Sequence, residues 1–99
     1  MARKKSLPES PVLGIVKARL NRPPSDTALD TYLQLRIAAA KSELKSIGIF
    51  LQDDDADDTI FLVDIVVWQY QNRDNPASMP EWLRLRRRER LLQQIGKGG

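Results

Sequence analysis

Apolar residues recur at Leu29, Leu33, Ile37, Ala40, Leu44 and Ile47, at spacings of four, four, three, four and three. That rhythm follows one face of an α-helix and predicts a helix over 26–47 with its polar residues outward. Ser25 or Asp26 is placed to cap it and Gly48 to stop it. Upstream, Ser10-Pro11 pairs a hydroxyl cap with a proline at the first helical position, where a missing N–H is harmless. VLGIVKARL follows, with Leu13, Val16 and Leu20 on one face. This predicts a short helix over 11–20, weakened by Gly14 and ended by Pro23 and Pro24.

From Ile60 to Trp68 the pattern changes to an apolar run broken only by Asp64. The run is rich in β-branched residues, so a buried strand is an alternative. With its flanks, Asp57 to Asp74, it is longer than a typical strand, and its acidic start complements the N–H groups of a first helical turn. A helix over 57–74 is therefore expected, apolar on all sides and central to the core. NPASM reads as a turn, and Pro80 opens a last helix over 80–94. The fold expected is all-α, a small bundle of about four helices over 11–20, 26–47, 57–74 and 80–94. It forms one domain over 11–95 whose last helix, 80–95, is a docking element. A flexible basic leader, 1–10, precedes it and a flexible tail, 96–99, follows.

Composition narrows the chemistry. Ninety-nine residues make one small domain, which buries only about 60–65% of its unfolded surface and is expected to lean on partners. The chain has neither Cys nor His, so it lacks a thiolate, the commonest general base and the commonest metal ligand. No apolar run nears the ~20 residues of a membrane span. The basic start has no apolar stretch behind it and does not read as a signal peptide. A soluble, cytosolic protein is expected, with no membrane partner.

The net charge of +3 is unevenly spread. Residues 1–22 carry six basic and one acidic side chain, residues 53–74 one basic and seven acidic, and residues 75–99 six basic and two acidic. Positive ends flank a negative band, a pattern that a monomer satisfies internally or that successive copies satisfy head to tail.

Each candidate site has a plain structural counterpart. Asp53, Asp55 and Asp57 stand at positions 1, 3 and 5 of a calcium-type loop with Asp64 at position 12, but the sharp-turn Gly is Asp58 and the closing Glu is missing. Helix capping is the better reading of these carboxylates, and no metal or other cofactor is expected. Asp64 has no His, Cys or second carboxylate to work with, so pairing with a Lys or Arg is favoured over catalysis. Trp68 and Tyr70 read as core or core rim before base-stacking platforms. No catalytic residue is expected, and the chain is not read as an enzyme.

The last helix, MPEWLRLRRRERLLQQI, stands apart. At 100° per residue, Leu83, Leu91, Ile95, Leu92 and Leu85 lie about 100°, 180°, 220°, 280° and 300° around from Trp82, and Arg86, Arg90, Arg87, Arg84 and Arg88 about 40°, 80°, 140°, 200° and 240°. The two sets interleave, so one small core cannot bury the apolar set without drawing charge inside. Arginine and tryptophan are enriched where proteins meet. The candidate protein-interface residues are therefore Trp82, Leu85, Arg84, Arg86, Arg87, Arg88 and Arg90. Asp53, Asp54, Asp55, Asp57 and Asp58 join them as the acidic patch that a neighbouring copy presents.

The phrases VLGIVKARLNRPPSDTALDTYLQLRIAAAKSELKSIGI and DDTIFLVDIVVWQYQNRDNPASMPEWLRLRRRERL carry a resemblance. In layout, over about residues 12–92, the chain resembles the head–tail connector (adaptor) proteins of long-tailed double-stranded DNA phages. Trp68–Asp74 and Met79–Arg90 match as structural phrases and not as a defined site. The resemblance implies a small helical virion protein without enzymatic activity. It implies a homo-oligomeric ring beneath the portal protein, through which double-stranded DNA passes without sequence-specific contact. It also implies a C-terminal segment reaching onto the portal, a surface for a downstream neck or tail (stopper or tail-completion) protein, and a place at the virion neck after assembly in the host cytoplasm. The leader MARKKSLPES lies outside the resemblance. The rival reading is a small basic helical DNA-binding regulator, allowed by the basic ends and opposed by the acidic band.

Overall fold

A computed structural model describes residues 11–74 and 78–98, with side chains to residue 95. The leader 1–10 with its Ser10 cap, the turn at 75–77 and residue 99 lie outside the described residues. Four helices follow in order: α1 (Pro11–Arg19), α2 (Asp30–Ser46), α3 (Ala56–Gln71) and α4 (Glu81–Gly98). There is no strand among the described residues, so the run around Val63 is helical as expected.

Local chemistry sets the ends. α1 stops where Asn21 turns left-handed at φ 61° and the Arg22 N–H donates to the Lys17 carbonyl at 2.8 Å. Asparagine tolerates that conformation better than most residues, so the chain leaves the helix before the two prolines. α2 begins at Asp30 rather than at residue 26. Asp26 does not cap a helix: its carboxylate accepts the Ala28 N–H at 3.1 Å and holds a turn instead. At the other end Gly48, at φ 102°, takes the left-handed position that ends α2. Its N–H donates to the Lys45 carbonyl at 3.0 Å, and that of Ile49 to the Leu44 carbonyl at 2.8 Å.

α3 starts on a true cap, with the Asp55 carboxylate accepting the Asp58 N–H at 3.0 Å. It ends at Gln71, three residues earlier than expected, because the Asn72 side chain donates to the Trp68 carbonyl at 2.8 Å. α4 continues through residues 96–98, where a frayed tail was expected. Glycine lowers helix propensity by up to ~1 kcal/mol without forbidding the conformation.

The core gathers on α3. Phe61 to Val67 and Tyr70 are buried, together with Val12 and Val16 of α1, Leu33, Ile37, Ala40 and Leu44 of α2, Ile49 and Leu83. The α2 stripe packs as its spacing predicts except at its end, where Ile47 lies past the last turn and is exposed. Ile60, expected in the core, also points outward, and Trp68 lies half-buried at the rim. α1 and α2 pack on α3 and on each other, whereas α4 packs on α3 and meets the α2 turn at Leu91. The result is a plate of 42 × 40 × 19 Å, about two helix diameters thick.

Candidate functional site

α4 lies on the plate with one apolar residue, Leu83, fully buried. Leu91 is half-buried, and its methyl would touch a Cβ at Gly48 at 3.4 Å. Trp82, Leu85, Leu92 and Ile95 stay exposed, at 52, 48, 57 and 63%. The interleaving read from the sequence thus resolves into an inner edge that meets α3 and an outer face without cover among the described residues.

The five arginines divide in the same way. Arg86 reaches inward to Asp64, Nη1 to Oδ2 at 2.7 Å, while its guanidinium lies 5.7 Å from the Phe61 ring. Arg19 of α1 donates to the other oxygen of the same carboxylate, also at 2.7 Å. Asp64 is only 8% exposed, and a buried carboxylate needs this company because desolvation disfavours its charge. Asp64 is accordingly a structural node between three helices. Arg90 pairs with Asp58, whose second oxygen accepts the Gln52 N–H at 2.8 Å.

Arg84, Arg87 and Arg88 carry no ion pair among the described residues. They rim a groove of about 540 Å³ floored by Ile47, Leu85 and Leu91. Ile47 was expected in the core. Its place in the groove follows from the end of α2 at Ser46, which no periodicity marks.

The acidic cluster is not one outward patch, which corrects the reading of its five carboxylates as a single neighbour-facing surface. Asp58 is buried and held by Arg90, and Asp55 caps α3. Asp53 is highly exposed and meets Lys41 at 3.2 Å. Asp54 and Asp57 are exposed and enter no ion pair among the described residues. Among those residues no group of His, Cys, Asp and Glu is arranged to hold a metal ion, and no helix is long and apolar enough to cross a membrane.

Tyr70 and Trp68 belong to the packing. Tyr70 meets Tyr32 edge-on at 6.1 Å and carries the Arg73 guanidinium 3.9 Å from its ring centre. A hydrogen bond to Tyr70 also raises the Arg22 pKa. In α1 Lys17, buried despite its charge, donates to the Pro24 carbonyl at 3.1 Å and pairs with Asp30 at 2.9 Å. Sequence reasoning missed this pair, because a lysine on the flank of a short amphipathic helix ordinarily reaches water. No family model matches the chain, and neither a curated protein nor a solved structure matches it.

Proposed function

We propose that this chain is a structural virion protein, a head–tail connector (adaptor) of a long-tailed double-stranded DNA phage. It forms a ring beneath the portal, extends the DNA channel without reading its sequence, and offers a surface to the next neck or tail protein. Its place is the virion neck, after assembly in the host cytoplasm, and its role involves no catalysis or cofactor.

The single observation that carries the reading is the outer face of α4. Trp82, Leu85, Leu92 and Ile95 lie about half-exposed or more on one helix of a small domain. Aromatic and aliphatic anchors beside arginines are what protein interfaces use. The layout shared with connectors supports the same role for the C-terminal helix.

The test is to mix the purified chain with its cognate portal and image the particles. A ring of added density beneath the portal is expected. Trp82→Ala with Leu92→Ala should remove it while leaving the helical spectrum and melting temperature unchanged, since both side chains are exposed. A wild-type chain that never joins portal, or a double variant that joins it as well as wild type, refutes the reading.

One observation favours a second reading. Arg84, Arg87 and Arg88 share a flank of α4 without ion pairs among the described residues, as a phosphate-binding helix would have them. Three neutralised phosphates give a log–log salt slope of about −2.7 on duplex DNA. A titration at two salt concentrations that returns such a slope supports the regulator. The groove's apolar floor argues against it, because phosphates gain nothing from Ile47, Leu85 and Leu91.

A further inference from the structure

The groove on α4 has a floor of three apolar side chains and a rim of three guanidinium groups, and no described residue fills it. We propose that it receives the acidic corner of a second copy, residues 50–60, with Asp54 and Asp57 against the arginines and Phe50 or Ile60 toward the floor. The inference rests on the connector reading for its setting, a ring of copies, and names the contact that joins them.

Charge selects this occupant. Two α4 helices laid together would oppose Arg84, Arg87 and Arg88 to their own likes, so self-pairing of the helix is disfavoured. The groove calls for carboxylates beside exposed apolar side chains. The corner supplies both: Asp54 and Asp57 are exposed and enter no ion pair among the described residues, Asp53 meets Lys41 there, and Phe50 and Ile60 are 50 and 51% exposed. The corner's remaining carboxylates, Asp55 and Asp58, are occupied within the chain, so the contact draws on groups the fold leaves over. None of residues 50–60 lines the groove of its own chain. A groove that meets a different surface of the next copy is a heterologous contact, which propagates and closes into a ring when the rotation allows.

Paired charge reversal tests this on the full chain. Sedimentation equilibrium over a range of concentrations at low and high salt reads the association. Wild type is expected to self-associate reversibly and to weaken at least about tenfold at high salt, since the pairs are exposed. Arg84→Glu with Arg88→Glu abolishes association, and so does Asp54→Lys with Asp57→Lys. All four side chains are exposed and enter no ion pair among the described residues, so both variants are expected to keep the wild-type helical spectrum. An equimolar mixture of the two variants associates again, because the reversed groove now suits the reversed corner and the two intact surfaces suit each other. A wild type that stays monomeric throughout, a reversed variant that associates like wild type, or a mixture of folded variants that stays monomeric overturns the contact. Portal binding measured in parallel separates the two proposals. A monomeric chain that binds portal refutes the contact alone, and an associating chain that never binds portal refutes the connector reading alone.

Discussion

Asp26 stands where a polar residue before an apolar rhythm predicts a helix cap, and it holds a turn. Its carboxylate accepts the Ala28 N–H and pairs with Arg22 at 2.9 Å. The backbone N–H and then Arg22 hold its pKa below the ordinary value. A carboxyl whose folded pKa is depressed adds stability that is fully present above its unfolded pKa, near 4, and is lost as the pH falls through the folded value. Asp26→Asn keeps the acceptor for Ala28 and removes the titration. The variant is expected to lose less stability than wild type between neutral pH and about pH 3, read as a smaller drop in urea midpoint. An equal drop in both proteins would show that Asp26 does not contribute. Asparagine and aspartate favour caps and turns for the same reason, a short acceptor near backbone N–H groups. Sequence alone does not say which of the two a given carboxylate makes, and at Asp26 the difference shortens α2 by four residues.

At the scale of elements, Asp64 joins α1, α3 and α4 through Arg19 and Arg86. Either arginine alone keeps the carboxylate paired, and losing both leaves it buried without a counter-ion. Arg19→Ala and Arg86→Ala are each expected to be mild, within about 1 kcal/mol, because the other arginine still pairs the carboxylate and each is partly exposed to screening solvent. The double variant should exceed their sum by about 1–3 kcal/mol, the size of coupling found in shared networks. Chemical denaturation of the four proteins measures this, and strict additivity would remove Asp64 from its place as a shared node. The elements themselves were largely legible. α3 follows from an apolar run too long for a strand, and the α2 stripe packs from Leu33 to Leu44 as its period requires. The candidate site was legible in kind but not in wiring. The α4 arginines and apolar residues interleave in the sequence as they do in space, yet which arginines turn inward depends on the seating of α4. Arg86 meets a carboxylate 22 residues away and Arg19 one 45 residues away, and no local spacing encodes such pairs. The acidic cluster misled for the same reason: five neighbours in sequence take different environments once a helix starts among them.

The whole molecule is a thin plate, and its core is essentially α3 with what α1 and α2 lay over it. α4 adds one fully buried residue and two ionic contacts at the margin. Regions with few buried apolar contacts open at lower free energy than the core. The shared carboxylate then has a consequence for how the molecule comes apart. When α4 lifts, Arg19 remains on Asp64, so that carboxylate keeps a counter-ion, whereas Asp58 loses Arg90 and keeps the Gln52 N–H. Lifting therefore costs the burial of Leu83 and part of Leu91, the Arg86 contact with Asp64 and the buried Arg90–Asp58 pair. Native-state hydrogen exchange should reveal two tiers, with the amides of α4 exchanging through a partial opening and those of α1, α2 and α3 only through complete unfolding. A single shared exchange free energy for all four helices would contradict this. Two tiers would make the C-terminal helix a hinged flap whose resting position is set by arginine tethers, and whose release leaves behind a three-helix body in which Asp64 is still paired.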